Sequence, residues 1–237
     1  MAKDLHWLKY NTYPGRGLVI GMTPNATAFV QIYWIMGRSE NSRNRIFVKE
    51  EGGFIKTQAH DPAKMKDASN IIYYPIKHFG DKHIVSNGDQ TDTIIEHLQS
   101  GSTFEAALAT RQPEPDTPNY TPRISGILHA DGGPCAYQIS VIKSRFNDPQ
   151  YPMRGFFNYE HAVPGIGHCV TTYENDGAPL PSFQGEPFEV PLADSALTIA
   201  DQYWSALNAD NRISLLVKLV RIKDQDVMIE IINKHRQ

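Results

Sequence analysis

Cysteine is scarce in this chain: Cys135 and Cys169 are the only two among 237 residues. Two thiols exclude a disulfide framework and a thiol-rich metal centre. Long apolar runs are missing too. The longest, Ala26 to Met36, is interrupted by Thr27, Gln31 and Tyr33, and it falls well short of the about 20 residues that cross a bilayer. The opening residues, Met1-Ala2-Lys3-Asp4-Leu5-His6-Trp7, have neither an apolar stretch nor a small-residue cleavage site. The expected compartment is therefore the cytoplasm, with no membrane partner. Positive charge is not in excess: 23 Lys and Arg face 26 Asp and Glu, a net charge of −3. A global pull toward nucleic acid is thereby excluded.

Several catalytic signatures are absent as well. There is no His-Glu-x-x-His, and His161 and His168 are separated by the turn-like Pro164-Gly165-Ile166-Gly167. No glycine-rich phosphate loop ends in Lys-Ser or Lys-Thr, and no Gly-x-Gly-x-x-Gly follows a strand. Gly-x-Ser-x-Gly is missing too. Neither a metal nor a cofactor is expected.

What remains is ordinary globular material, 41% hydrophobic and 21% charged. The length suits a single domain over residues 1–237. Strand-like runs dominate. Leu18 to Gly21 and Ala28 to Met36 flank the break Thr23-Pro24-Asn25. Ile46 to Lys49 and Gly53 to Thr57 surround Glu50-Glu51-Gly52-Gly53. Ile71 to Pro75 and His83 to Asn87 read as two more. The period then changes to helical over Thr91 to Leu98. Ser102-Thr103-Phe104-Glu105 has capping-box spacing and opens a second helix through Leu108. After a proline-rich loop from Gln112 to Pro122 come strand-like Ile124 to Ala130, Ala136 to Ile142, Gly155 to Tyr159 and Cys169 to Tyr173. Asp131-Gly132-Gly133-Pro134 makes the first of the connecting turns. Pro179 to Pro191 reads as irregular, Ala196 to Leu207 as a helix, and Leu215 to Ile222 with Val227 to Ile232 as a closing hairpin. Many strands with few, grouped helices predict an α+β fold with mostly antiparallel sheets.

Three polar segments carry candidate chemistry. Gly37-Arg38-Ser39-Glu40-Asn41-Ser42-Arg43-Asn44-Arg45 follows a buried-looking strand. Guanidinium forks match phosphate and carboxylate oxygens, and Ser39 and Asn44 add neutral donors. This is a candidate phosphate or nucleotide pocket, or else a solvated basic loop. Ser86-Asn87-Gly88-Asp89-Gln90-Thr91-Asp92 leaves a strand and enters a helix, where Asp89, Thr91 or Asp92 could cap. Glu114-Pro115-Asp116-Thr117-Pro118-Asn119-Tyr120-Thr121-Pro122-Arg123 is stiffened by prolines and presents carboxylates, a tyrosine and an arginine together. Tyr73 and Tyr74 are strand neighbours that point to opposite faces.

These segments, with Tyr13-Pro14-Gly15-Arg16-Gly17 before them, resemble in residues and order the archaeal-type IMP cyclohydrolase family. The resemblance runs from Tyr13 through Gly126 and thins afterwards. The chain also has an N-terminal extension and a longer C-terminal half from about Tyr151. The resemblance implies a four-layer αββα sandwich similar to the N-terminal nucleophile hydrolases, but no covalent nucleophile. It implies closure of 5-formamidoimidazole-4-carboxamide ribonucleotide to IMP with loss of water, and association as homo-oligomers. On that reading Arg38 and Arg45 grip phosphate or the developing oxyanion, with Arg123 as a third cation and Ser39 and Asn44 beside them. Tyr73 or Tyr74 donates a proton, and Glu114 or Asp116 accepts one. Asn87, Asp89, Gln90 and Thr91 position base and ribose, with Tyr120 and Thr121 contributing from the proline-rich loop. Two alternatives stay open: a non-catalytic purine-nucleotide-binding protein, and an amidohydrolase of the N-terminal nucleophile type. Ala2 and the Pro134-Cys135 junction give the latter no good processing site.

Overall fold

The computed structural model describes residues 4–66, 68, 71–133 and 135–235. Met1-Ala2-Lys3 and Pro134 lie outside the described residues. In chain order the elements are helix α1 (His6–Tyr10), strands β1 (Gly17–Met22) and β2 (Ala28–Met36), helix α2 (Glu40–Arg43), and strands β3 (Ile46–Lys49), β4 (Ile55–Gln58), β5 (Ile76–Phe79) and β6 (Lys82–Ser86). Helices α3 (Gln90–Gln99) and α4 (Phe104–Ala109) follow, then strands β7 (Arg123–His129), β8 (Tyr137–Arg145), β9 (Asp148–Tyr159), β10 (Ile166–Thr171) and β11 (Phe188–Pro191). Helix α5 (Ala196–Ala206) and the hairpin β12 (Arg212–Arg221) and β13 (Val227–Asn233) close the chain.

The strands form two sheets. One runs β11-β10-β1-β2-β12-β13 and the other β3-β4-β5-β6-β7-β8-β9. Neighbouring strands in both are antiparallel. Alternation along each strand sorts side chains to opposite faces. Leu18, Ile20, Tyr33, Ile35 and Leu216 of the first sheet meet Val85, Ile124, Leu128 and Ile139 of the second in one buried cluster. Val19, Val30, Ile32, Trp34 and Leu215 face away, against Leu8 of α1 and Ile199 and Tyr203 of α5. Ile84 and Ile127 of the second sheet pack outward on Ile94 of α3 and on Phe104 and Leu108 of α4. The order is therefore helices, sheet, sheet, helices. At Gly126 the sheets come so close that a Cβ would lie 2.4 Å from Ile20 Cδ1.

The fold is α+β with antiparallel sheets and few helices, as the patterning predicts. Four local expectations are corrected. Ile71 to Pro75 is not a strand. Thr57 ties the segment down: its N–H donates to the Tyr73 carbonyl (2.9 Å), its hydroxyl donates to the Ile71 carbonyl (2.6 Å) and accepts from Tyr73 N (2.9 Å), so no ladder runs along it. Within Pro179 to Pro191, Phe188–Pro191 pairs with β10 as an edge strand. Gly155 to Tyr159 is the end of a 12-residue strand. Thr103, not Ser102, caps α4 by accepting from Ala106 N. No described helix is long and apolar enough to cross a membrane.

Candidate functional site

At one end of the seam between the sheets, the entry to β1, the exit of β2 and the exit of β10 converge. Gly15 has φ +72°, and a Cβ there would lie 2.2 Å from Thr172 Oγ1 and 2.6 Å from Tyr173 Cδ2. Only glycine lets the chain pass so close in that conformation. The contact pins Arg16: its N–H donates to Thr172 Oγ1 (3.1 Å), and its carbonyl accepts from Thr172 N (2.8 Å). Past β2, Ser39 caps α2 through a capping box with Ser42. That turn folds Arg45 back beneath the loop, where Nε donates to the Ser42 carbonyl (2.9 Å) and Nη2 to the Met36 carbonyl (3.4 Å).

The result is a cavity of about 270 Å³ whose lining includes Arg16, Arg38, Ser39, Arg45, Asp116, Thr121 and Tyr173. Three guanidinium groups face one lining carboxylate. Arg45 is 2% exposed, and its Nη1 has no hydrogen-bond partner. Arg38 stands at the rim, paired with Asp176 and stacked over the Tyr13 ring at 4.8 Å. Asp116 accepts from Thr121 N (2.6 Å) and from its hydroxyl, and that hydroxyl also bonds Tyr173 Oη. Tyr13 and Tyr173 stack with centroids 6.0 Å apart.

A second, wholly buried layer lies behind the arginines. Glu114 Oε2 accepts from Arg16 Nη1 (3.3 Å), and its Oε1 accepts from Asn87 Nδ2 (3.3 Å). Burial pushes the Glu114 carboxyl up, and Arg16 and Arg123 offset this only in part. Burial pulls Arg16 down, but attraction to Glu114, and to Tyr73, Tyr33 and Tyr173 when these ionise, outweighs it, so the guanidinium stays charged. Burial also lowers Arg45. Tyr33 and Tyr73 share a hydrogen bond of 2.7 Å between their hydroxyls. A carboxyl moved toward neutrality beside fixed cations and phenols is suited to proton transfer.

The structure thus brings Arg38, Ser39, Arg45, Asp116 and Thr121 together round the cavity, with Glu114 and Tyr73 behind them. Other sequence candidates are engaged elsewhere. Tyr74 Oη donates to Glu50 (2.7 Å), and its ring lies under Lys77 Nζ at 4.0 Å. Asn44 clips the chain at Asp61 through two bonds of 2.7 Å. Arg123 spends its donors on the Gln112 carbonyl (2.7 Å), Asp89 (2.7 Å) and Gln90 (2.8 Å). Asn87 Oδ1 accepts from Gln90 Nε2 and Ile124 N, each at 2.9 Å. Thr91 bonds Ser86, and Asp89 makes no cap bond on α3 because Arg111 and Arg123 hold its carboxylate. Tyr120 has φ 43°, turning the loop so that Thr121 faces the cavity lining. Asn87, Asp89, Gln90 and Arg123 form a linked frame beside Glu114, not the cavity wall.

Sequence reasoning missed Arg16, Tyr33 and Tyr173. Arg16 sat inside a recognised stretch, Tyr33 inside an apolar run that reads as core, and Tyr173 at the end of a strand in the C-terminal half. Among the described residues, no three His, Cys, Asp or Glu side chains are grouped to hold a metal ion.

A family model described as IMP cyclohydrolase-like protein matches residues 13–225. The match continues past Gly126 through β12, so the longer C-terminal half falls within the family pattern. A protein of Methanococcus maripaludis named IMP cyclohydrolase is 32% identical over 129 residues, which is 53% of this chain and 62% of that protein. The alignment thus spans less than two thirds of that relative's length. With nine-tenths of its residues inside the family match, the chain belongs to the IMP cyclohydrolase-like family.

Proposed function

We propose that this protein closes the second ring of a purine, converting 5-formamidoimidazole-4-carboxamide ribonucleotide to IMP and water. The observation that carries the reading is the cavity of three guanidinium groups in which buried Arg45 keeps one donor unmatched. A buried polar group without a partner costs about 1–3 kcal/mol, and a phosphate oxygen would remove that cost. The volume, about 270 Å³, is near the small end for ligand pockets and fits a mononucleotide better than a polymer.

In this reading Arg38, Arg45 and Ser39 hold the phosphate, and the formamide and carboxamide lie toward Arg16 and Glu114. Both reacting groups are on one ring, so the enzyme has only to hold the cyclising rotamer. As the carboxamide nitrogen attacks the formyl carbon, Glu114 takes the amide proton and Tyr73 protonates the formyl oxygen. Tyr74 is a poor donor candidate because Glu50 engages its hydroxyl. Arg16 steadies the oxyanion; one well-aimed donor there is worth roughly 3 kcal/mol. Asp116 holds Thr121 and Tyr173 as one wall of the cavity.

Both sheets draw strands from distant parts of the chain, which supports reading residues 1–237 as one domain. The layer order supports a likeness to the N-terminal nucleophile hydrolase sandwich. A homo-oligomer and a cytoplasmic enzyme are part of the same proposal. The test is to mix the purified protein with the formamido substrate, without added metal or cofactor, and follow absorbance as the ring closes. Enzyme-dependent formation of IMP is expected. A folded protein that binds IMP without turnover overturns the catalytic reading in favour of a nucleotide-binding one.

A further inference from the structure

Tyr33 lies in the middle of β2, wholly buried in the cluster between the sheets, with its ring 5.8 Å from Phe47. Phenylalanine would fill the same space without introducing a hydroxyl that needs a partner in an apolar core. The hydroxyl does have a partner: Tyr73 Oη, 2.7 Å away, on the segment that leads into β5. Of two hydroxyls that close, one donates and the other accepts. Which does which decides whether Tyr73 can give its own proton to a substrate.

We propose that Tyr33 is a positioning residue that donates its hydrogen to Tyr73 Oη, fixing Tyr73 as a donor toward the cavity and stabilising the phenolate left when Tyr73 gives up its proton. The inference rests on the cyclohydrolase reading above. In the step concerned, the new C–N bond forms, Glu114 takes one amide proton, and the formyl oxygen takes the Tyr73 proton to become a hydroxyl. On dehydration that hydroxyl leaves as water with the proton from Glu114. The dehydrated ring is a cation with two N–H protons; the one on the former formamide nitrogen returns to Tyr73, and IMP keeps the other. Tyr33 keeps its own proton throughout. Burial and the neighbouring Tyr73 push the Tyr33 phenol well above its usual range, consistent with that role. The positive charges of Arg16 and Arg45 act on both phenols, and Tyr33 is the hydrogen-bond partner that Tyr73 Oη has in this cluster.

The test is Tyr33→Phe. A hydrogen bond to a charged group supports a loss in kcat of roughly 10- to 100-fold, with KM and IMP affinity within about twofold because the cavity wall is untouched. The alkaline limb of the pH–rate profile should move to higher pH, since Tyr73 loses stabilisation of its phenolate. A merely structural role would lower Tm and leave that limb in place. Wild-type kcat and an unmoved limb in Tyr33→Phe overturn the proposal. If the parent protein itself fails to turn over, the function has failed instead, and the pair is still tested directly. The ionisation of Tyr73, taken as the near-ultraviolet difference between the protein and its Tyr73→Phe variant, must shift upward in the Tyr33→Phe background. No shift overturns the pairing.

Discussion

Replacing Lys218 with methionine removes a buried amine while keeping the apolar stem that packs between the sheets. Lys218 is 1% exposed. Its Nζ bonds His83 Nδ1 at 2.9 Å, and among the described residues no carboxylate pairs with it. The other polar groups nearby are Gln31, whose Nε2 donates to the His83 carbonyl, and His78, whose ring lies 5.7 Å from that of His83. Burial pushes the Lys218 ammonium down from 10.5 to about 7. Burial and the Lys218 charge push His83 to about 3, so it stays neutral over the window that matters. The folded-state value of Lys218 lies below its unfolded value, so between about pH 7 and 10.5 the unfolded chain binds more protons. Stability therefore rises with pH across that window and is lost as pH falls through it. At about 1.4 kcal/mol per pKa unit, the loss by pH 7 is on the order of 4 kcal/mol. Methionine has no such loss but leaves His83 Nδ1 unpartnered, which costs about 1–3 kcal/mol at every pH. Lys218→Met should be the more stable protein at pH 7 and the less stable one at pH 10.5. Urea unfolding followed by tryptophan fluorescence at several pH values gives the difference curve, in which the other lysines cancel. A flat difference curve, or a variant less stable at pH 7, would refute the reasoning.

Other perturbations probe the cavity. Arg45→Lys replaces a fork held by two carbonyls with a point charge, and calorimetry should read at least a tenfold weaker affinity for IMP. Glu114→Gln keeps the shape but not the charge, and kcat/KM should fall by about 10²–10⁴; its pH–rate profile should also lose the acidic limb set by this raised carboxyl. Tyr74→Phe should change kcat/KM by less than about twofold, because its hydroxyl serves Glu50. Tyr73→Phe assayed beside it should be severely slowed.

Legibility followed how local the determining forces are. Ala28–Met36 and Ile46–Lys49 match their sequence boundaries because β-branched and aromatic runs end at turn residues on either side. Ile71 to Pro75 has the same composition, but Thr57, distant in sequence, takes its backbone bonds, and no window on the sequence carries that information. Arg38, Ser39 and Arg45 stand out in a polar loop after an apolar strand, and the cavity gathers all three. Arg123 looked equivalent in composition. What separates it is that Asp89 and Gln90 absorb its guanidinium, a pairing across more than thirty residues. Arg16 does not stand out within Tyr13 to Gly17, since its place at the cavity depends on Thr172 and Tyr173 arriving from the far end of the chain. Tyr33 was hidden because a hydroxyl inside an apolar run is visible in the sequence only as one more aromatic residue.

The site also explains why the interior tolerates so much charge. Buried Arg45 and partly buried Arg16 lie near Glu114, the buried carboxylate that pairs with Arg16. Burying ions without full pairing destabilises a fold, and a domain stable by only about 5–15 kcal/mol has little room for it. Such an imbalance persists where binding corrects it. A phosphate entering the cavity adds negative charge where positive charge is in excess and offers acceptors to Arg45 Nη1. On the proposed function, ligand binding and folding are coupled through the same two side chains: a nucleotide at a hundred times its Kd would add about 2.7 kcal/mol to stability. In Arg45→Met the unliganded protein should lose little stability or even gain some, while the increment from IMP should largely vanish. That opposite response of fold and ligand is what distinguishes a charge kept for binding from one kept for structure.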